Sequence, residues 1–221
     1  TQSTWGGMAN SSCTVKWANA RAVRPHCKSS FCLLPVACYT SPSPLKIAKQ
    51  RLLTLISDQD RGIKTKSDSF KRNSIVETIE KMAELSEGTV TTGTSLSATW
   101  RMLWTTEKEQ LFIIDNAKLF GTRVGDALQV IDVEAGKLNN VITFPPDGDF
   151  LVRSTIDVAS SQRVNFRFTS ALLRGKGWEV PLPPFGQGWF ETVYMDDEIR
   201  VVKDIREDYL IVDRLPYQWK E

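Results

Sequence analysis

The hydrophobic period changes near residue 96, and this change constrains the fold more than any other feature of the chain. From there Leu96, Ala98, Trp100, Met102 and Trp104 alternate with Ser97, Thr99, Arg101, Leu103 and Thr105, the two-residue period of a strand with one strongly apolar face. The same alternation predicts short strands over 110–116, 126–134, 138–145, 150–160, 162–174, 189–196, 199–206 and 208–215. Turn chemistry separates them: Glu134-Ala135-Gly136-Lys137, the Pro145-Pro146-Asp147-Gly148-Asp149 run, and Ala159-Ser160-Ser161. Eight or nine short strands with hairpin connections imply a mainly β, antiparallel sandwich or up-and-down barrel.

Before residue 89 the period is helical. Leu45, Ala48, Leu52 and Leu55/Ile56 fall at three- and four-residue spacing, and Gly62 closes this first helix or its turn. A second helix is expected from Asp68 to Glu87, with Ile75, Ile79 and Met82/Ala83 on one side and Gly88 as its stop. The chain therefore reads as a leader (1–44), a two-helix segment (45–88), a β domain (89–216) and a short tail (217–221). The basic first helix, with Lys46, Lys49 and Arg51, could lie on an anionic lipid surface or pack on its own domain.

Charge and sulfur are distributed unevenly. Residues 1–57 hold seven Lys/Arg and no acid, leaving 21 basic and all 26 acidic residues to the remainder. An acidic body disfavours nucleic-acid binding. Residues 1–44, rich in Ser, Ala and basic side chains and broken by Pro25, Pro35, Pro42 and Pro44, have the composition of an organelle transit peptide and are expected to be disordered. Cys13, Cys27, Cys32, Cys38 and His26 all lie within them. Cys27, Cys32 and His26 form at most a zinc half-site, without a second ligand pair downstream, and the Asn10 sequon matters only in a secreted chain. The body thus lacks the usual general base, thiol nucleophile and zinc ligands, and no glycine-rich phosphate loop occurs. No catalytic residue, metal or cofactor is expected, although Asp/Glu chemistry leaves a carboxylate-based enzyme as an alternative. No apolar run reaches the length of a membrane-spanning helix, so membrane contact is expected to be peripheral.

Val164, Phe166 and Phe168 share one strand face, and Phe150, Val152, Ile156 and Val158 another. A closed ring of about eight strands is either filled by such side chains or holds one small apolar ligand. Tyr194 and Asp196 share a face, with Arg200 close enough in sequence to pair with a carboxylate. Asp196, Asp197 and Glu198 could bind a cation, supply a polar handle for a ligand, or simply form a charged hairpin tip. An inward-facing Asp196 would have its pKa raised by burial unless Arg200 or another donor pairs with it.

The run Leu96–Thr106 resembles the first barrel strand of the plastid lipid-associated proteins, or plastid fibrillins. The resemblance continues through Arg61-Gly62, Leu128–Val133 and Asn140–Ile142, and is most specific at Gly188–Val201, which looks like the family's C-terminal acidic signature. It spans about Leu45 to Arg214. The compact body is most similar to a small subgroup, the ninth, and Ala98 departs from the family pattern by standing where Gly is usual, which predicts a slightly altered barrel mouth. The resemblance implies a lipocalin-like barrel in the chloroplast, in the stroma or at thylakoids or plastoglobules, that binds quinones, tocopherols, carotenoids or lipids without catalysis. Trp100, Met102, Trp104, Phe166, Phe168, Tyr194, Asp196 and Arg200 are the expected ligand-binding residues. The alternative is a scaffold for a prenyl-lipid enzyme, docking through an exposed apolar loop at Pro181–Gly186.

Overall fold

A computed structural model describes residues 41–117, 122–184 and 186–221, so the expectations for the leader and for Phe185 fall outside the described residues. Ser43 opens the first helix, α1 (Pro44–Ile56): its hydroxyl accepts from the Lys46 N–H at 3.3 Å, and Pro44 sits in the first turn, where its missing N–H costs nothing. Asp68 caps α2 (Ser69–Leu85) in the same way, accepting from Lys71 N–H at 2.9 Å. Both helices bury the faces that spacing predicts: Ala48, Leu52 and Ile56 on α1; Ile75, Ile79 and Met82 on α2. The link between them turns through three residues of positive φ, Asp60, Arg61 and Gly62. Gly62 is required there, since at φ +111° a Cβ would stand 2.2 Å from the carbonyl oxygen of Thr105.

Nine strands follow: β1 (Ala98–Thr105), β2 (Ala127–Asp132), β3 (Lys137–Phe144), β4 (Gly148–Val158), β5 (Arg163–Gly175), β6 (Trp178–Leu182), β7 (Gln187–Met195), β8 (Ile199–Asp204) and β9 (Tyr209–Arg214). They pair antiparallel in the order β4-β3-β2-β1-β9-β8-β7-β5, and β4 pairs again with β5, so eight strands close into a barrel-like ring. The expected mainly β, barrel-like architecture behind a helical pair is therefore present. The long β5 makes closure possible: its first half pairs with β7 and its second half with β6. β6 takes in Pro181 and Leu182, the start of the expected Pro181–Gly186 loop. It is an edge strand, paired only with β5, the kind of position to which proline in a sheet is confined.

Residues 110–116, expected to be a strand, belong to helix α3 (Lys108–Asn116). The run Leu111-Phe112-Ile113-Ile114 carries strand-like composition, but both edges of β1 are already taken by β2 and β9, leaving no edge for another strand to join. Leu111 N–H bonds to Glu107 O at 3.0 Å and the segment coils, burying Leu111 and leaving Phe112 exposed.

Three bulges govern which side chains face inward. Leu103 in β1, Thr169 in β5 and Val193 in β7 are each an extra residue relative to the partner strand, so side-chain parity flips across them. The ring interior gathers Trp100, Met102, Ile131, Leu138, Phe190 and Val212. A separate layer between the ring's outer face and the helices holds Trp104, Tyr194, Val201 and Ile211 against Leu52, Ile75, Ile79 and Met82. A third, small cluster of Leu128, Val141 and Leu151 is covered by Leu215 and Trp219 of the C-terminal segment. The four residues Ile199–Val202 of β8 and Tyr209–Val212 of β9 are consequently buried on both faces.

Candidate functional site

The ring encloses a cavity of about 500 Å³. Its walls are apolar, with Met102, Ile142, Phe150, Phe166, Phe168 and Phe190 among them. Phe166 stacks on Phe168 at 5.2 Å between centroids and lies 6.5 Å from Phe190, so three rings from adjacent strands form one continuous aromatic surface. The cavity opens where β1 passes into α3, where β6 leads into β7, and at the β8–β9 turn, beside Glu107, Gln110, Pro183, Gly186, Asp204 and Arg206. Gly186 lets the chain cross the Phe168 ring, since a Cβ there would come within 2.7 Å of it.

Two polar features interrupt the apolar lining. At the mouth, Glu107 accepts from Gln110 Nε2 at 2.7 Å. Burial of its carboxyl, reinforced by the nearby Asp204 and Asp208 charges, pushes its pKa up to about 7, against the opposing effects of Gln110 and Arg206. Deeper in, Gln129 and Asn140 face the cavity and Gln129 Nε2 donates to Asn140 Oδ1 at 3.0 Å. Behind Gln129 lies Arg200, fully buried, with Nη2 donating to Gln129 Oε1. Arg200 Nε and Nη1 have no hydrogen-bond partner among the described residues. Burial, with the Arg214 charge adding to it, lowers the Arg200 pKa to about 9.

The expected site residues divide between the two faces of the ring. Met102, Phe166 and Phe168 line the cavity. Trp100 faces inward beyond the open space, its Nε1 donating to Leu96 O at 3.0 Å, with Arg200 and Arg214 at 5.3 and 4.2 Å from its ring. Trp104 does not face the cavity: the bulge at Leu103 turns it outward, where its Nε1 donates to Thr65 Oγ1 at 3.2 Å beneath the helices. Tyr194 is turned outward by the bulge at Val193. Ala98 begins β1 at the end away from the mouth and packs on the interior cluster.

Asp196 likewise serves the helix dock. It receives hydrogen bonds at 2.5 Å from both Lys49 Nζ of α1 and the Tyr194 hydroxyl. Burial acts to raise its pKa, but those two donors and the N–H groups of Ile199 and Glu198 outweigh it and hold the carboxyl below the usual aspartate range. The same pairing, after burial, pushes the Tyr194 hydroxyl up. Lys49 Nζ also meets Glu198 at 2.5 Å. Arg200 therefore pairs with neither carboxylate, contrary to the sequence expectation. Among the described residues no cluster of three or more His, Cys, Asp or Glu is arranged to hold a metal.

Gln129, Asn140, Phe190 and Glu107 lie outside the set of residues that the sequence leads one to expect. The first two carry a visible signal, each being the one polar residue between apolar neighbours on an inward face, as in Ala127-x-Gln129-x-Ile131 and Leu138-x-Asn140-x-Ile142. Glu107 carries none, because its setting depends on α3.

The PAP_fibrillin family model matches residues 46–213. The "Probable plastid-lipid-associated protein 11, chloroplastic" of Arabidopsis thaliana is 66% identical over 185 residues, covering 84% of this chain and 87% of the relative. No solved structure matches the chain.

Proposed function

Since the chain belongs to the plastid lipid-associated protein (PAP_fibrillin) family, we propose that it is a non-catalytic chloroplast protein that carries or organises a small lipophilic molecule within its ring of strands. The observation that carries this reading is the apolar cavity of about 500 Å³ lined by Met102, Phe150, Phe166, Phe168 and Phe190. Ligand pockets run from about 300 to 1,000 Å³ and are mostly apolar with a few placed polar groups. A quinone or chromanol headgroup fits this space, and a long prenyl or acyl chain would leave through the mouth beside Glu107 and Gly186. At the mouth Glu107, half protonated near neutral pH, can donate or accept a hydrogen bond to a carbonyl or hydroxyl. Attachment to a thylakoid or plastoglobule surface is part of the same reading. No helix among the described residues is long and apolar enough to cross a membrane.

Detergent-free protein titrated with a plastoquinone or tocopherol should show saturable quenching of tryptophan fluorescence. Ala171→Trp, which fills the cavity at a lining position, should abolish saturation while circular dichroism is retained. A flat titration of the native protein with quinone, tocopherol and carotenoid alike would sink the carrier reading.

One observation favours a second reading. Trp178, Val180 and Leu182 on β6 are exposed, an apolar edge outside the ring, and such an edge suits docking to a partner such as a prenyl-lipid enzyme. That reading expects an enzyme to co-purify stoichiometrically after lipid removal, and expects Trp178→Ser with Val180→Ser to release it.

A further inference from the structure

The interior end of the ring holds two guanidinium groups, and no carboxylate among the described residues is hydrogen-bonded to either. Arg214 reaches backbone carbonyls, its Nε donating to Asp197 O at 3.2 Å and its Nη2 to Ser95 O at 2.7 Å. Arg200 has no such relief: Nη2 meets Gln129 Oε1, while Nε and Nη1 have no partner among the described residues and are sealed from solvent. Its remaining neighbours are the ring faces of Trp100 at 5.3 Å and Phe190 at 5.6 Å. Arginine does not escape burial by losing its proton at neutral pH, even with a lowered pKa, so a full positive charge stands inside the ring. An uncompensated buried charge costs several kcal/mol, and a binding protein can retain it where a ligand supplies the opposite charge.

Resting on the carrier reading above, we infer that the cavity receives a long-chain carboxylate, head inward on Arg200 and chain running along Phe166 and Phe168 toward the mouth. The screen between cavity and guanidinium is a single flexible amide. Gln129 both lines the cavity and accepts from Arg200. A carboxylate oxygen can replace Gln129 Oε1 as the acceptor for Nη2 and engage the free Nε or Nη1. The released amide can then turn its NH₂ toward the same anion. The count of unmet charge favours a monoanion: Arg214 already donates to two carbonyls, leaving one unpartnered cation. Phe150, Val152, Phe166 and Ala171 then surround the chain with apolar surface.

The test compares three ligands of one chain length, dodecanoate, dodecanol and dodecyl phosphate, titrated calorimetrically into the native protein at neutral pH. Charge-assisted hydrogen bonds of this kind are worth about 10- to 100-fold in affinity, so dodecanoate should bind tighter than dodecanol by that factor. Arg200→Met should erase the preference, with dodecanoate falling to the affinity of dodecanol or below it, and should leave the melting temperature of the free protein unchanged or higher because it removes the unpaired charge. Should that variant not fold, Gln129→Leu, which leaves Arg200 without its internal acceptor, should keep or increase the preference for dodecanoate. Equal binding of dodecanoate and dodecanol to the native protein overturns the role of Arg200 and leaves the cavity reading standing. Binding of none of the three overturns the carboxylate inference alone, since the carrier reading stands or falls on the quinone, tocopherol and carotenoid titration. Tighter binding of dodecyl phosphate than of dodecanoate overturns the carboxylate assignment.

Discussion

Replacing Glu107 by Gln should stabilise the protein above neutral pH and leave it unchanged in acid. The folded chain holds the Glu107 proton up to about pH 7, whereas the ordinary value is 4.5. In the unfolded chain the carboxyl ionises near that lower value. Between the two the folded state binds the extra proton, so the Glu107 contribution makes native stability fall as pH rises through this window, with the full penalty present above it. At about 1.4 kcal/mol per pH unit the ceiling is about 3 kcal/mol, and because the side chain is half-buried at an open mouth, about 1–3 kcal/mol is the expected range. The introduced amide keeps the shape of the protonated acid, and its oxygen can still accept from Gln110 Nε2. Urea unfolding of both proteins at about pH 5 and about pH 8 isolates the effect, because titrations elsewhere cancel in the difference. The variant should gain stability relative to the native protein only as pH rises. A difference independent of pH, or one of opposite sign, would refute the assignment of a buried, desolvated carboxyl at the mouth.

Asp196→Asn should cost about 1–2 kcal/mol at neutral pH by weakening the Lys49 and Tyr194 contacts that dock α1. The folded carboxyl titrates below its ordinary value, so its contribution is present above the normal aspartate pKa and lost as pH falls through the folded one. Denaturation curves of native protein and variant should therefore converge in acid, and equal stability at neutral pH would contradict the pairing. Trp104→Ala should destabilise by about 3–5 kcal/mol, the usual cost of emptying a fully buried aromatic site. The milder Trp104→Phe should leave ligand affinity unmoved in a titration, because Trp104 lies outside the ring. Gly62→Ala should lower the melting temperature through a cost of about 1–3 kcal/mol, since the added methyl meets Thr105 O in a left-handed backbone. A melting curve that matches the native protein would show that the turn has room to adjust.

Features that repeat locally can be read directly from the chain. Leu52, Ile75, Ile79 and Met82 fall on helical faces whatever lies opposite them, and Ser43 and Asp68 cap those helices through bonds only three residues long. The strand alternation is equally local, and a ring of antiparallel strands follows once enough short strands with hairpin links are present. The resemblance at Gly188–Val201 falls within the span that the family model matches.

The destination of individual side chains is not local. Trp104 and Tyr194 continue the alternation of Trp100 and of Phe190 in sequence, yet bulges at Leu103 and Val193 send them to the opposite face. Those bulges exist only in the pairing with β9 and β8. Residues 110–116 coil because β1 has no open edge, a condition imposed by strands far along the chain. The charged groups depend even more on distant partners. Arg200 meets Gln129 across 71 residues, and Asp196 meets Lys49 across 147. Periodicity records which side chains must leave water. Ring closure and helix docking decide which enclosed space each one enters, because burial is a property of all the surfaces that meet at a point and not of one segment's pattern.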